Sequence, residues 1–323
     1  MSRSAILLVG GMGTRLHPLT LSIPKPMLPV AGVPFTEHQI VKAREAGITQ
    51  IVLATAFKAE IFKPYFGDGS NFGIEIKYAV EESALGTGGA IRNAASELTQ
   101  DGPVAIFNGD VLTGHDLNGQ FNFHEENKAG VSLYLTKVPD ARAFGAVELD
   151  SVNRVTAFNE KMENPPTNII NAGCYIFNRE IIESIPENKV VSVERETFPD
   201  LLESGERVFG FIDTSYWLDI GTPSALLKAS RDLLNGNAKS SATPKHEGGS
   251  LILQNAQIDP TAKILNNCVI GKGCSIGPGA VIDGSILFDG SIIEGGAVLK
   301  DCFVAPGFKV PANSIAESNF FGF

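Results

Sequence analysis

Ile6-Leu7-Leu8-Val9-Gly10-Gly11-Met12-Gly13-Thr14-Arg15-Leu16, followed a few residues later by Pro24-Lys25-Pro26, decides how the N-terminal part of this chain is read. An apolar run of strand length passes directly into glycines and then into two fixed cations. Glycines let backbone N–H groups come close to an anion, and Arg15 and Lys25 supply the charge that a polyphosphate needs. A glycine turn that only joined a strand to a helix would not require both cations. The stretch holds no G-x-x-x-x-G-K-[ST], and Gly11-Met12-Gly13-Thr14-Arg15-Leu16 lacks the third glycine of the dinucleotide fingerprint, so this phosphate cradle is of another kind.

Outward from that stretch, short apolar runs at 4–9, 50–55, 74–79, 104–108 and 131–136 read as strands separated by amphipathic helical stretches. The alternation predicts an α/β domain with a mostly parallel, Rossmann-like sheet over residues 1–235. A helix is expected at 36–46, with Thr36 and Gln39 as a capping box, Ile40 and Val41 facing inward and Gly47 as its stop. Residues 236–250 are polar, rich in Gly and Ser and without periodicity, which predicts a linker. Beyond it Ile258, Ile264, Ile270, Ile276, Ile282 and Phe288 fall at every sixth residue, with Ala256, Ala262, Cys268, Cys274 and Ala280 two positions before the first five. Six is the period of a left-handed parallel β-helix of hexapeptide repeats, expected over 251–323. The pattern fades after Ile292, which predicts a short β-helix of about three coils.

The chain has 323 residues, of which 43% are hydrophobic, enough for two cores. Its net charge of −10 argues against a nucleic-acid binder, yet residues 1–36 contain Arg3, Arg15 and Lys25 and no Asp or Glu. No apolar run is long enough to span a membrane, and residues 1–4 lead straight into the first strand without a signal-peptide pattern, so a cytoplasmic location and no membrane partner are expected. The four cysteines have neither disulfide nor metal-site spacing and read as small core residues. None of the five histidines has ligand spacing, and Phe121, Phe123 and Phe144 read as core.

Asp110 follows the run Val104-Ala105-Ile106-Phe107-Asn108 as Asn-Gly-Asp, which puts a carboxylate at the C-terminal edge of a strand, where α/β sheets bind ligands. It is a candidate Mg²⁺ ligand, with Asp219 of Tyr216-Trp217-Leu218-Asp219-Ile220-Gly221-Thr222-Pro223 as the second. Taken alone, an Asp after a strand is more often a turn former than a ligand. Glu160-Lys161 at a strand end and Asn171-Ala172-Gly173 before another are weak signals by themselves.

Together, the string from Val9 to Phe35, the segment 81–90, Glu160-Lys161, Asn171-Ala172-Gly173, the segment 192–199 and the segment 216–223 resemble the sugar-1-phosphate nucleotidyltransferases. The resemblance implies that Val9, Gly10, Gly11, Gly13, Thr14, Arg15, Lys25, Glu81, Gly86, Thr87 and Asp110 meet the nucleotide, with room for the flat base at Gly86 and Gly88. It implies that Gly145, Glu160, Lys161 and Asn171 bind the sugar phosphate, that Arg15, Lys25 and Lys161 are the catalytic cations, and that Mg²⁺ sits on Asp110 and Asp219. It points to the branch using GTP and mannose 1-phosphate, although Asn159 and Met162 depart from the residues familiar around the Glu-Lys pair. A uridylyl- or thymidylyltransferase acting on glucose 1-phosphate, or a non-catalytic nucleotide-sugar-binding homologue, stays open. A homo-oligomer is expected, because the rungs at a β-helix end need covering. Every expected substrate contact precedes the linker, so removal of the β-helix is expected to spare the reaction.

Overall fold

The computed structural model describes residues 3–11, 13–55, 59–81, 83–247 and 249–323; Met12 of the glycine loop, Glu82 of the segment 81–90 and Gly248 of the linker lie outside them. These residues cluster in two compact units, one of 1–11 with 39–217 and the other of 12–38 with 218–323. Chain order and spatial grouping therefore differ, since the segment 12–38 groups with the C-terminal part.

The first unit is built on a nine-stranded sheet of β1 (Ser4–Leu8), β2 (Gln50–Thr55), β3 (Glu75–Val80), β4 (Val104–Asn108), β5 (Val131–Lys137), β6 (Gly145–Leu149), β7 (Val155–Glu160), β8 (Ile169–Phe177) and β9 (Val208–Ile212). Its order is β7-β6-β8-β4-β1-β2-β3, with β5 on β8 and β9 on β5. The pairs β1–β4, β1–β2 and β2–β3 are parallel, the Rossmann-like half, and β1 is buried on both faces as such a strand must be. Past β4 the chain returns by reversals, so β8 runs antiparallel to β4 and β5, and β7 antiparallel to β6. The sheet is thus mixed rather than mostly parallel. Apolar runs of strand length do not announce the direction in which they pair.

Helix α1 (Phe35–Glu45) forms one residue earlier than expected, with Ile40 and Val41 buried and Gly47 left-handed at its end. The expected capping box is absent. Thr36 Oγ1 donates to Pro26 O at 2.9 Å, and Gln39 Nε2 turns away to Asn108 O at 2.8 Å. Helix α2 (Gly86–Ala95) opens at the segment 81–90, and α3 (Pro223–Leu234) is capped by the Thr222 hydroxyl, which accepts from Ala225 N.

The C-terminal strands stack in parallel as a left-handed β-helix with three faces, one of five strands and two of four. It continues to Phe320–Phe321, four coils and the start of a fifth rather than about three. Inward positions run Ile258, Ile264, Ile270, Ile276 and Ile282 at sixes, then to Leu287, Ile293, Leu299, Val304 and Val310. Leu287, not Phe288, fills the sixth inward position, because the corner after Ile282 is one residue shorter. In the first coil that corner holds two left-handed residues, Asn266 and Asn267; in the following coils one suffices, at Gly284, Asp301 and Ser318. Cys268, Cys274 and Cys302 are buried free thiols among the small residues of this core, and Cys174 is buried in the first unit. Among the described residues no helix is long and apolar enough to cross a membrane.

Candidate active site

In the first unit the site begins where β4 ends. Gly109 N donates to Leu8 O at 3.0 Å, and a Cβ on Gly109 would stand 2.1 Å from that oxygen, so only glycine lets the chain pass the end of β1. Asp110 follows directly and is half-buried. Tyr175, fully buried in β8, receives Asn171 Nδ2 at 2.9 Å and Asn108 Nδ2 at 3.4 Å on its hydroxyl. The other end of the Asn171 amide accepts from Gly173 N at 3.1 Å. The end of the metal-candidate strand and the irregular stretch of β8 at Asn171, which lies inside this strand rather than before it, are therefore tied through one buried phenol.

Trp217 extends this chain of contacts. Its Nε1 donates to Ala172 O at 3.0 Å and its ring meets Phe144 edge-on at 5.3 Å, so Phe144, read as core, flanks the site. Phe144 O accepts from Lys161 N at 3.2 Å. A Cβ at Gly145 would lie 2.7 Å from the Phe158 ring and 3.0 Å from Glu160 Oε2, which makes glycine a steric requirement there. Lys161 Nζ lies 3.3 Å from Glu160 Oε1, with the lysine side chain 60% exposed. Lys161 also has φ +50°, a left-handed conformation costing a residue with a Cβ ~1 kcal/mol. Gly145, Glu160, Lys161 and Asn171 are brought together; the strain at Lys161 had no signal in the sequence.

The segment 81–90 is held by contacts within the first unit. Glu81 Oε2 accepts from Leu85 N at 3.0 Å, and Thr87 Oγ1 donates to Glu194 Oε2 at 2.8 Å while accepting from Val193 N at 2.9 Å. Gly86 has φ +70°, and a Cβ there would meet Val191 O at 2.5 Å; one on Gly88 would meet Val191 Cγ1 at 2.9 Å. A side chain at either position would collide with Val191, so these glycines let the start of α2 pack against it.

In the second unit Gly13 has φ +59° and opens a single 3₁₀ turn, Thr14–Leu16. Its carbonyl accepts from Leu16 N at 2.9 Å and from Thr20 Oγ1 at 2.9 Å, and a Cβ on it would stand 3.0 Å from Lys25 Cβ. Gly13 thus packs directly on Lys25. Arg15 Nη2 lies 3.8 Å from Asp219 Oδ2, with the Arg15 side chain 67% exposed. An exposed pair of that length binds weakly, which leaves the guanidinium able to meet an anion. Gly221, not singled out in the sequence, packs under both groups. A Cβ there would be 2.8 Å from Arg15 Nη2 and 2.9 Å from Asp219 Oδ1. Val9 is buried, Gly10, Gly11, Thr14 and Arg15 are exposed, and nothing lies within 4 Å of a Cβ built on Gly11.

Most of the chain is similar to known proteins. A family model described as nucleotidyl transferase matches residues 4–236, and one described as the GMPPB C-terminal domain matches residues 246–321. The chain is 49% identical to a mannose-1-phosphate guanylyltransferase of Mycobacterium tuberculosis over 83% of this chain and 75% of that one. It is 36% identical to a mannose-1-phosphate guanyltransferase of Saccharomyces cerevisiae over 80% of this chain and 72% of that one. A crystal structure of a putative glucose-1-phosphate thymidylyltransferase from Bacillus anthracis, in complex with a sucrose, covers 71% of this chain and 94% of its own at a TM-score of 0.65 and 24% identity, a likeness of fold. With Gly13 packed on Lys25 and Asp110 at the end of β4, the chain belongs to the nucleotidyl transferase family, whose model matches residues 4–236.

Proposed function

We propose that this chain transfers the guanylyl group of GTP to mannose 1-phosphate, forming GDP-mannose and pyrophosphate. The observation that carries this reading is the 49% identity to a mannose-1-phosphate guanylyltransferase over most of both chains. A phosphate oxygen of the sugar phosphate attacks the α-phosphorus in line, and the bond from that phosphorus to the bridging oxygen breaks, its electron pair leaving with pyrophosphate. No covalent intermediate with the protein is needed, so catalysis rests on positioning and charge neutralisation. Arg15 and Lys25 meet the triphosphate, Lys161 screens the attacking phosphate, Glu160 and Asn171 bind sugar hydroxyls, and the Gly145 backbone lies along the sugar.

The donor set suits Mg²⁺, which is usually held by one or two carboxylates together with substrate phosphates. Asp110 and Asp219 offer such oxygens, and among the described residues no group of three or more His, Cys, Asp or Glu forms a ready-made cage. Asn108 Oδ1, two residues before Asp110, is a buried acceptor without a hydrogen-bond partner, which suits a water of a hydrated cation. Bound there, Mg²⁺ supplies charge neutralisation of the phosphates.

Product analysis with GTP, UTP, dTTP, ATP and CTP against mannose 1-phosphate and glucose 1-phosphate tests the reading. GDP-mannose formation faster than every other combination is expected; preference for dTTP or UTP with glucose 1-phosphate, or no turnover with any pair, overturns it. The same reading carries a cytoplasmic location and a homo-oligomer, tested by cell fractionation and light scattering.

A further inference from the structure

Helix α1 places two polar side chains, Gln39 and Lys42, one turn apart on the same face. Gln39 is 6% exposed, and its Nε2 donates to Asn108 O at 2.8 Å and Val111 O at 3.4 Å. Lys42 Nζ donates to Thr113 O at 3.0 Å and His115 O at 2.8 Å. The carbonyls held in this way lie on both sides of Asp110 and along the segment that follows it. Burial lowers the lysine pKa to about 8, with Cys174, Asp213, Asp116 and Glu45 near enough to raise it slightly. Among the described residues the hydrogen bonds of this ammonium go to backbone carbonyls and not to a carboxylate. A half-buried ammonium without an ion pair, beside a buried Gln39 Oε1 without a donor, is a cost that packing alone does not explain.

We infer that Gln39 and Lys42 are positioning residues, a clamp on the backbone that fixes the Asp110 carboxylate for a divalent cation. The inference rests on the metal role proposed for Asp110. Octahedral Mg²⁺ tolerates little displacement of its ligands, and partners that orient a metal ligand typically matter 10- to 100-fold for metal affinity. Here the partners act through backbone carbonyls rather than through the carboxylate itself.

The test uses Gln39→Met, Lys42→Met and Lys42→Arg in the full chain. Mn²⁺ binding in the presence of GTP, read by electron paramagnetic resonance, should weaken ~10-fold in both Met variants and recover at least partly in Lys42→Arg. Metal-free hydrogen exchange should quicken at 109–115 and stay unchanged in β1 and β2. At saturating Mg²⁺ the turnover should return to within about threefold of normal, since the clamp acts on affinity. Unchanged Mn²⁺ binding in Gln39→Met overturns the clamp, as does a loss of turnover that follows melting temperature at every Mg²⁺ concentration. Asp110→Asn separates the two failures. If it binds Mn²⁺ normally, the metal role of Asp110 is wrong; if it does not, while the Met variants do, only the clamp is wrong.

Discussion

At Gly221 the missing side chain is what lets an arginine and an aspartate share one place. A methyl group there would press on the Arg15 guanidinium and the Asp219 carboxylate together. The guanidinium is the end of a flexible chain and can swing away, so Gly221→Ala should fold normally. Its cost should appear in the chemical step, because a displacement of about 1 Å in a positioning group can lower turnover ~100-fold. We expect kcat for pyrophosphate release to fall at least ~10-fold with the melting temperature nearly unchanged; near-normal kcat would mean that Arg15 does not meet the developing charge. Asp219 was legible as a carboxylate in 216–223, whereas Gly221 was not, since a sequence does not say which atom fills the space beside a glycine. The same limit applies at Gly86 and Gly88, where a side chain would meet Val191. Tyr175 escaped for a related reason: an aromatic residue inside an apolar run reads as core, and the two amides on its hydroxyl are visible only once β8 lies beside β4.

Among the elements, the β-helix was legible through its six-residue period because each inward side chain is large and each corner residue small. The period was lost where one left-handed residue replaced two, and the register then shifted by one at Gly284, Asp301 and Ser318. The last turn of α3 reaches this row of corners. Arg231 Nη2 donates to Gly284 O at 2.8 Å and to the Asp301 carboxylate, and both charged side chains are about one-third exposed. Arg231→Ala should therefore lower stability by about 1–2 kcal/mol in urea unfolding, a partly screened charge-assisted bond rather than a fully buried one. Arg231→Lys should restore only part, since an ammonium does not present the planar donor fork of a guanidinium. No change in the unfolding midpoint of either variant would show that the corner row does not anchor α3. The capping box on α1 failed because the Thr36 and Gln39 side chains had stronger tertiary claims, at Pro26 O and Asn108 O, which no local spacing discloses.

For the whole molecule, acid should be felt in both compact units. Burial lowers the pKa of His38 to about 4 and that of His115 to about 3. In each case the unfolded chain takes up a proton near 6.5 while the folded one resists, so stability falls as pH drops below 6.5 and continues falling to about 4. Urea midpoints measured at pH 7, 5.5 and 4.5 should decrease in that order, and His38→Gln should flatten the curve; a midpoint independent of pH would be inconsistent with buried neutral imidazoles. His38 also bears on the division of labour between the parts of the chain. Its Nδ1 meets Ser240 Oγ at 2.7 Å, and its Nε2 meets Val30 O at 2.9 Å. A Cβ on Gly32 would come 2.6 Å from Leu251 Cδ2, so the turn at Ala31-Gly32 lies directly on the first coil. These contacts hold the segment 12–38, which carries Gly13, Arg15 and Lys25, within the compact unit that contains the β-helix. Cutting near Gly236 removes Ser240 from His38, Leu251 from Gly32, and Gly284 and Asp301 from Arg231. The earlier expectation that the fragment keeps the reaction, drawn from which residues meet substrate, therefore gives way to the opposite outcome. Residues 1–236 should lose ~10-fold or more in turnover even where they remain soluble, because the cations lose the support that fixes them. Circular dichroism and a pyrophosphate-release assay on the same preparation decide the matter, and a folded fragment with normal kcat would show that the segment 12–38 holds its shape without the coils beneath it.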